Sequence, residues 1–184
     1  MPQKNVSRER RTLCVADFGK CYHDRWIFRH VEQEFHGGEP YFLDTPSGSG
    51  KTTFFRCLCG LERPEEGEVS GIDAFSVQFQ EDRLCEEYSA VKNLEMVMGD
   101  AKEARKALTW LLVRAMEAGA QCVLLDEPFT GLDEENREKA YEYIRTHANG
   151  RIIMIATHIR PWENMPEDVQ KGEGLWERIR KTQE

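Results

Sequence analysis

The sequence contains no apolar run approaching the roughly 20 residues that a membrane-spanning helix requires. A chain that crosses the bilayer on its own helices is therefore not expected, and any link to a membrane has to come through a partner. The start, Met1-Pro2-Gln3-Lys4-Asn5-Val6, lacks the apolar core of a secretory signal. Positive charge is in deficit as well, with 33 acidic residues against 25 Lys and Arg and a formal net charge of -8. That balance argues against a broad nucleic-acid surface, which shows as clustered positive charge. It does not argue against one bound nucleotide, because a phosphate loop works mainly through local backbone N–H groups. None of the six cysteines (Cys14, Cys21, Cys57, Cys59, Cys85, Cys122) stands in a C-x-x-C pair, and no His/Cys group has zinc spacing. Reduced thiols in a cytosolic protein are the expectation. Repeats and low-complexity tracts are missing too.

What is present suffices for one domain with a real core: 184 residues, 40% of them hydrophobic and 32% charged. The first dozen residues are polar and expected to fray. Strands are predicted at Leu13–Phe18 and around Trp26–Phe35, and a short buried one at Tyr41–Leu43 after the turn chemistry of His36-Gly37-Gly38-Glu39-Pro40. Lys51–Leu61 has helical spacing and stops at Gly60 and Pro64. Further strands are predicted at Val69–Ile72 and Phe75–Phe79, and helices at Ser89–Met98 and Lys102–Ala118. Cys122–Leu125 and Ile152–Ala156 are compact apolar runs, as in parallel strands buried on both faces, with an amphipathic helix at Glu134–His147 between them. Strands alternating with helices imply an α/β fold with a largely parallel sheet. Leu175, Trp176 and Ile179 sit at helical spacing in an otherwise charged tail and predict a packing helix.

Chemistry concentrates in two stretches. Thr45-Pro46-Ser47-Gly48-Ser49-Gly50-Lys51-Thr52-Thr53 lies between a strand and a helix. Its glycines let successive N–H groups turn around phosphate oxygens, and the helix N-terminus adds a favourable dipole. Lys51 would reach the β- and γ-phosphates of a nucleotide, and the Thr52 hydroxyl would ligate magnesium. Thr45 stands where this pattern usually has glycine, preceded by Asp44 where an apolar residue is usual. A β-branched residue there strains the loop, and an acid beside the phosphates repels them, so weakened ATP affinity is expected. The second stretch, Cys122-Val123-Leu124-Leu125-Asp126-Glu127-Pro128, ends an apolar strand in two carboxylates. Asp126 would hold the magnesium, and Glu127 would orient or deprotonate the attacking water.

Pro46-Ser47-Gly48-Ser49-Gly50-Lys51-Thr52-Thr53, then Val123-Leu124-Leu125-Asp126-Glu127-Pro128-Phe129-Thr130-Gly131-Leu132-Asp133, then Thr157-His158, resemble the nucleotide-binding subunit of ABC transporters in the family's order. The resemblance spans roughly Leu13 to His158. It implies one ATP-binding domain over residues 1–184, built as a P-loop core with a mostly parallel sheet, a small antiparallel β-subdomain, and a reduced helical segment at about 81–118. The charged tail covers about 160–184. It further implies Mg-ATP as ligand, with Ser47, Gly48, Ser49, Gly50, Lys51, Thr52 and Thr53 around the phosphates and Thr52 and Asp126 at the metal. Glu127 and His158 become the catalytic pair, His158 as the switch histidine at the γ-phosphate. Gln80, in Val77-Gln78-Phe79-Gln80-Glu81-Asp82, matches the glutamine that ligates magnesium and senses the transmembrane partner, with Gln78 as the alternative. Tyr22 matches the aromatic that stacks on adenine. Gly131-Leu132-Asp133 matches the loop that meets a second ATP-binding subunit. The implied setting is cytoplasmic, at the inner face of the membrane, beside an integral membrane permease and in a homo- or heterodimer. The phrase Phe79-Gln80-Glu81-Asp82-Arg83-Leu84 also resembles importers of the nitrate, sulfonate and taurine type.

One family motif is missing. The Ser-Gly-Gly signature expected before the helix leading into Cys122–Leu125 has no counterpart in Lys102-Glu103-Ala104-Arg105-Lys106-Ala107-Leu108, and the span from Gln80 to Asp126 is short. In the family, that signature closes on the γ-phosphate held by the other subunit. A homodimer of this chain would lack half of that shell and hydrolyse slowly, whereas a heterodimer could borrow an intact signature. A nucleotide-binding regulatory or interaction module without transport is the alternative implied.

Overall fold

A turn in which both central residues have positive φ starts the fold. A computed structural model describes residues 12–38, 40–44, 48–79, 112–113, 115–116, 118–158, 175–176 and 179. The first eleven residues, the helix expected at Ser89–Met98 and most of that at Lys102–Ala118 lie outside the described residues. Leu112, Val113, Ala115 and Met116 are helical, as expected of the last turns of the second of these helices.

Strands β1 (Thr12–Tyr22) and β2 (Arg25–His36) are joined by His23 (φ 47) and Asp24 (φ 62). Two consecutive left-handed residues match the right-handed twist of the flanking strands, so the hairpin pairs Tyr22 with Arg25 and, at its far end, Thr12 with His36. β1 outruns the strand expected at Leu13–Phe18, continuing through an irregularity at Asp17 (φ 47). β4 (Glu66–Ser70) adds to the other edge of β1, giving the antiparallel order β2-β1-β4. It begins earlier than the predicted Val69–Ile72. Gly67 allows this: at φ 76, a Cβ there would lie 2.3 Å from the carbonyl oxygens of Ala16 and Asp17. Ile72 lies outside the strand yet belongs to the core at 7% exposure.

The second sheet is parallel, in the order β3-β7-β6-β5, from β3 (Tyr41–Asp44), β5 (Phe75–Gln78), β6 (Cys122–Asp126) and β7 (Ile152–Thr157). Every residue of the two central strands is buried. The pleat divides them between two cores. Cys122, Leu124, Ile152, Met154 and Ala156 face helix α1 (Lys51–Leu58) and the antiparallel sheet, and Val123, Leu125, Ile153 and Ile155 face helix α2 (Glu134–Thr146) and the turns around Leu112 and Met116. Each fully buried Leu or Ile contributes about 1.5–3 kcal/mol, which makes the two central strands the most firmly held part of the sheet. Leu175, Trp176 and Ile179 join the first core, as their spacing predicts, where Trp176 packs edge-on against Phe28 and Phe54.

Candidate nucleotide-binding site

The parallel sheet places the two chemical stretches side by side. β3 ends at Asp44, and the chain returns as α1, whose N-cap is Gly50 at φ 95; Gly48 is also left-handed, at φ 77. The helix opens with Phe54 N–H donating to the Gly50 carbonyl at 2.9 Å. No acidic residue lies in its first turn, so the positive end of its dipole is left uncompensated by side chains there. Lys51, 6% exposed, is among the few buried cations. Burial lowers its pKa, opposed by the negative charges of Glu127, Asp126 and Asp44. Its ammonium donates to the Ser49 hydroxyl at 3.4 Å.

Thr52 and Asp126 meet: the Thr52 hydroxyl donates to Asp126 Oδ2 at 2.6 Å across 74 residues of sequence. Burial raises the Asp126 pKa; the Thr52 hydrogen bond and the Lys51 charge oppose that rise, and Glu127 adds to it. Asp126 pairs in register with Ala156 of β7, and the next amide, Glu127 N–H, donates to the Ala156 carbonyl at 2.7 Å. That bond holds Glu127 at φ 52, a conformation that costs a non-glycine residue about 1–3 kcal/mol. The result points the Glu127 carboxylate at the end of β7. Oε1 takes His158 Nδ1 at 2.7 Å and the His158 amide at 3.1 Å, and Oε2 accepts the Thr157 hydroxyl at 3.1 Å and the Thr130 hydroxyl at 3.5 Å. Glu127 and His158, 31 residues apart in sequence, thus share one hydrogen-bonded contact.

Tyr22 stands at the end of β1, 40% exposed, its hydroxyl donating to the Glu62 carboxylate and its ring 5.0 Å from the Lys20 ammonium. Glu62 also accepts from Arg56 of α1 at 3.4 Å, which links that helix to Tyr22. A cleft of about 400 Å³, lined by Lys20, Glu62, Arg63, Pro64 and Glu65, opens beside it. The structure therefore brings Gly48, Ser49, Gly50, Lys51, Thr52, Asp126, Glu127 and His158 to one end of the parallel sheet, while Tyr22 is linked to α1 through Glu62 and Arg56. Ser47, Gln80 and the Thr45 position lie outside the described residues. Gln78, the alternative to Gln80, is the last residue of β5 and pairs with Leu125. Asp133 caps α2, its side chain accepting from the Asn136 amide at 3.0 Å.

Several residues of the site's surroundings escape sequence reasoning. Glu62, which anchors Tyr22, lies in a turn with no pattern to mark it. Arg151, 7% exposed, donates to the carbonyls of Met116, Ala148 and His147 and so fastens the start of β7; a lone arginine before an apolar strand gives no such signal. Trp176 was legible as core, but its hydrogen bond to the Ser49 carbonyl was not. Away from the site, Asp17, His30 and Glu66 gather on the antiparallel sheet; Asp17 takes His30 Nδ1, and Glu66 takes Arg29 through both oxygens, so each of the three already has a partner.

Comparison with known proteins gives the family. The ABC transporter family matches residues 28–115. The aliphatic sulfonates import ATP-binding protein SsuB 3 of Rhodococcus jostii is 32% identical, over 83% of this chain and 69% of its own length. The chain belongs to the ABC transporter family of ATP-binding proteins. Among other members, the cytochrome c biogenesis ATP-binding export protein CcmA of Gluconobacter oxydans is 29% identical, over 81% of this chain and 82% of its own. The fold is shared with an ABC transporter ATP-binding protein of Pyrococcus furiosus, at TM-score 0.60, 17% identity, 81% of this chain and 92% of that one. It is shared also with another ATP-binding subunit of an ABC transporter, at TM-score 0.59, 22% identity, and 80% and 79%. The alignment with the Rhodococcus relative runs over 186 positions, more than the whole chain, while using 83% of it. That relative therefore carries residues with no counterpart in this ABC protein. Among the described residues, no helix is long and apolar enough to cross a membrane.

Proposed function

We propose that this ABC protein binds Mg-ATP at the N-terminus of α1 and serves as the ATP-binding subunit of a transporter, working on a membrane permease from the cytoplasmic face. The observation that carries the proposal is the Thr52–Asp126 contact at 2.6 Å, a hydroxyl and a carboxylate set together beside a buried lysine. Oxygen donors of this kind fit a small hard cation, and Thr52 and Asp126, with Gln80, would hold magnesium. Bound magnesium neutralises charge on the β- and γ-phosphate oxygens. The residues of the chain do the rest. Backbone amides from Ser47 to Thr53 would cradle the phosphates, with the α1 dipole behind them. Lys51 would supply a desolvated positive charge, whose interaction with phosphate is stronger for being buried. Tyr22 offers a ring for the adenine.

Glu127 would accept a proton from, or orient, the attacking water, and His158 would meet the γ-phosphate. Both are held by the same hydrogen bonds before any ligand arrives, an arrangement that fixes their spacing. The relatives named above serve import in one case and export in the other. What they share is the ATP-binding subunit, and the proposal stands at that level, with permease and second subunit as partners.

Two measurements test it. Titrating ATP with and without magnesium should show metal-dependent binding that Thr52→Ala weakens by about tenfold, the effect of losing one charge-assisted contact; equal affinity in both proteins counts against the metal assignment. Co-purification of the tagged chain with an integral membrane protein supports the transporter role. Its consistent absence, with ATP binding intact, favours the regulatory module, the reading that the missing Ser-Gly-Gly motif recommends.

A further inference from the structure

Trp176 reaches the phosphate loop from the far end of the chain. Its indole N–H donates to the Ser49 carbonyl at 3.1 Å, across 127 residues of sequence. The ring itself is fixed: it is fully buried, with centroids 5.3 Å from Phe54 and 6.2 Å from Phe28, both edge-on. Leu175 and Ile179, each 3% exposed, seat the same segment in the core. The donor is thus held by packing and not by the loop.

A trans peptide is planar, so its C=O and the following N–H point in opposite directions. With the Ser49 carbonyl drawn toward Trp176 on the core side, the Gly50 N–H points away from the core. Gly50 is wedged in that position. A Cβ on it would lie 2.3 Å from Ile27 Cγ2 and 3.5 Å from Trp176 Cζ2, and its φ of 95 is one that side-chain-bearing residues rarely adopt. Ile27, Phe28, Phe54 and Trp176 therefore form a wall behind the loop, and one hydrogen bond sets the direction of the peptide that rests on it.

We propose that Trp176 is a positioning residue for phosphate binding: by holding the Ser49 carbonyl toward the core, it aims the Gly50 N–H at the phosphates. The inference rests on residues 48–53 being the phosphate cradle. An amide aimed in advance spares the ligand the cost of ordering the loop, the general gain of preorganisation. The effect concerns phosphate alone. It should be the same for any ligand with the same phosphate chain, whatever base it carries.

The test compares the full-length protein with Trp176→Phe, with a form carrying β-(3-benzothienyl)alanine at 176, and with Ile179→Val. The benzothienyl side chain keeps the indole shape without an N–H, so folding is preserved where phenylalanine leaves a gap. Ile179→Val perturbs the same packed segment without touching the loop. Calorimetric titrations with Mg-ATP and with magnesium triphosphate are the readout. The expected result is that both Trp176 replacements bind the two ligands about tenfold more weakly, by equal factors, as expected for one weakened hydrogen bond to a charged group, while Ile179→Val binds as the unaltered protein does. Unchanged affinity in the benzothienyl form overturns the inference, as does an equal loss in Ile179→Val, which makes the role one of packing only. Failure of the unaltered protein to bind either ligand overturns the phosphate-cradle assignment and the inference with it.

Discussion

Three carboxylates act on the buried Lys51 ammonium: Asp44, Asp126 and Glu127. Asp126 and Glu127 each have further partners in the site, the hydroxyl of Thr52 and the ring of His158. Asp44 closes β3, beside Thr157 of β7, where the family pattern has an apolar residue. On the proposed reading, its negative charge would draw on the lysine that phosphate needs and would repel phosphate itself. Asp44→Asn should therefore tighten Mg-ATP binding by about three- to tenfold, the scale of about 1 kcal/mol for one charge a few ångströms away in a partly wet site; calorimetry on the two proteins checks this, and weaker binding in the variant would contradict it. The departure at Asp44 was plain in the sequence. That its charge acts on Lys51 was not, because it depends on the pairing of β3 with β7.

At the scale of elements, α1 ends in a left-handed glycine. Gly60 sits at φ 76, its N–H donating to the Cys57 carbonyl at 3.2 Å and that of Leu61 to the Arg56 carbonyl at 2.9 Å. This pair of bonds is the one that stops a helix at glycine. A Cβ at Gly60 would meet open space, so Gly60→Ala exposes the backbone term alone. About 1 kcal/mol of stability should be lost, read as a lower urea midpoint with an unchanged slope. The segment after it is pinned by Glu65, which accepts from Lys20 at 3.0 Å and from the Cys21 amide at 2.9 Å. Burial works against ionisation of Glu65, but those bonds win, and its pKa lies below the ordinary value. A depressed carboxylate lends stability above its unfolded pKa, near 4.3, and loses it as the pH falls through the lower folded value. The melting temperature of Glu65→Gln should accordingly fall less between pH 5 and pH 3 than that of the unaltered protein; identical slopes would remove the pair from the acid sensitivity.

These elements differ in how far the sequence reveals them. Runs such as Ile152–Ala156, and the glycine stop of α1, announce themselves through composition and backbone chemistry. β4 does not: Glu66, Glu68 and Ser70 face away from the core, and what admits the strand is the missing Cβ of Gly67 against β1. The site follows the same division. Lys51, Thr52, Asp126, Glu127 and His158 were legible because each lies at the end of a strand or the start of a helix, where the parallel sheet gathers them. Tyr22 with Glu62, Arg151 with three carbonyls and Trp176 with Ser49 depend on contacts between distant segments, which no local pattern encodes.

For the whole molecule, the parallel sheet is complete through its two central strands and carries lysine, threonine, aspartate, glutamate and histidine at one end. On the proposed reading, the chain keeps the half of an ABC site that a single subunit would supply, while the motif that a partner would receive from it is missing from the sequence. One-sided retention of this kind predicts binding without fast turnover in isolation. The direct test is a calorimetric titration of the purified protein with Mg-ATP, alongside Lys51→Ala. The account predicts saturable binding that falls by at least about thirtyfold in the variant, since removing the cationic partner of a buried charge pair costs about 2–5 kcal/mol. No saturable binding to the unaltered protein, or equal binding by both, would contradict it.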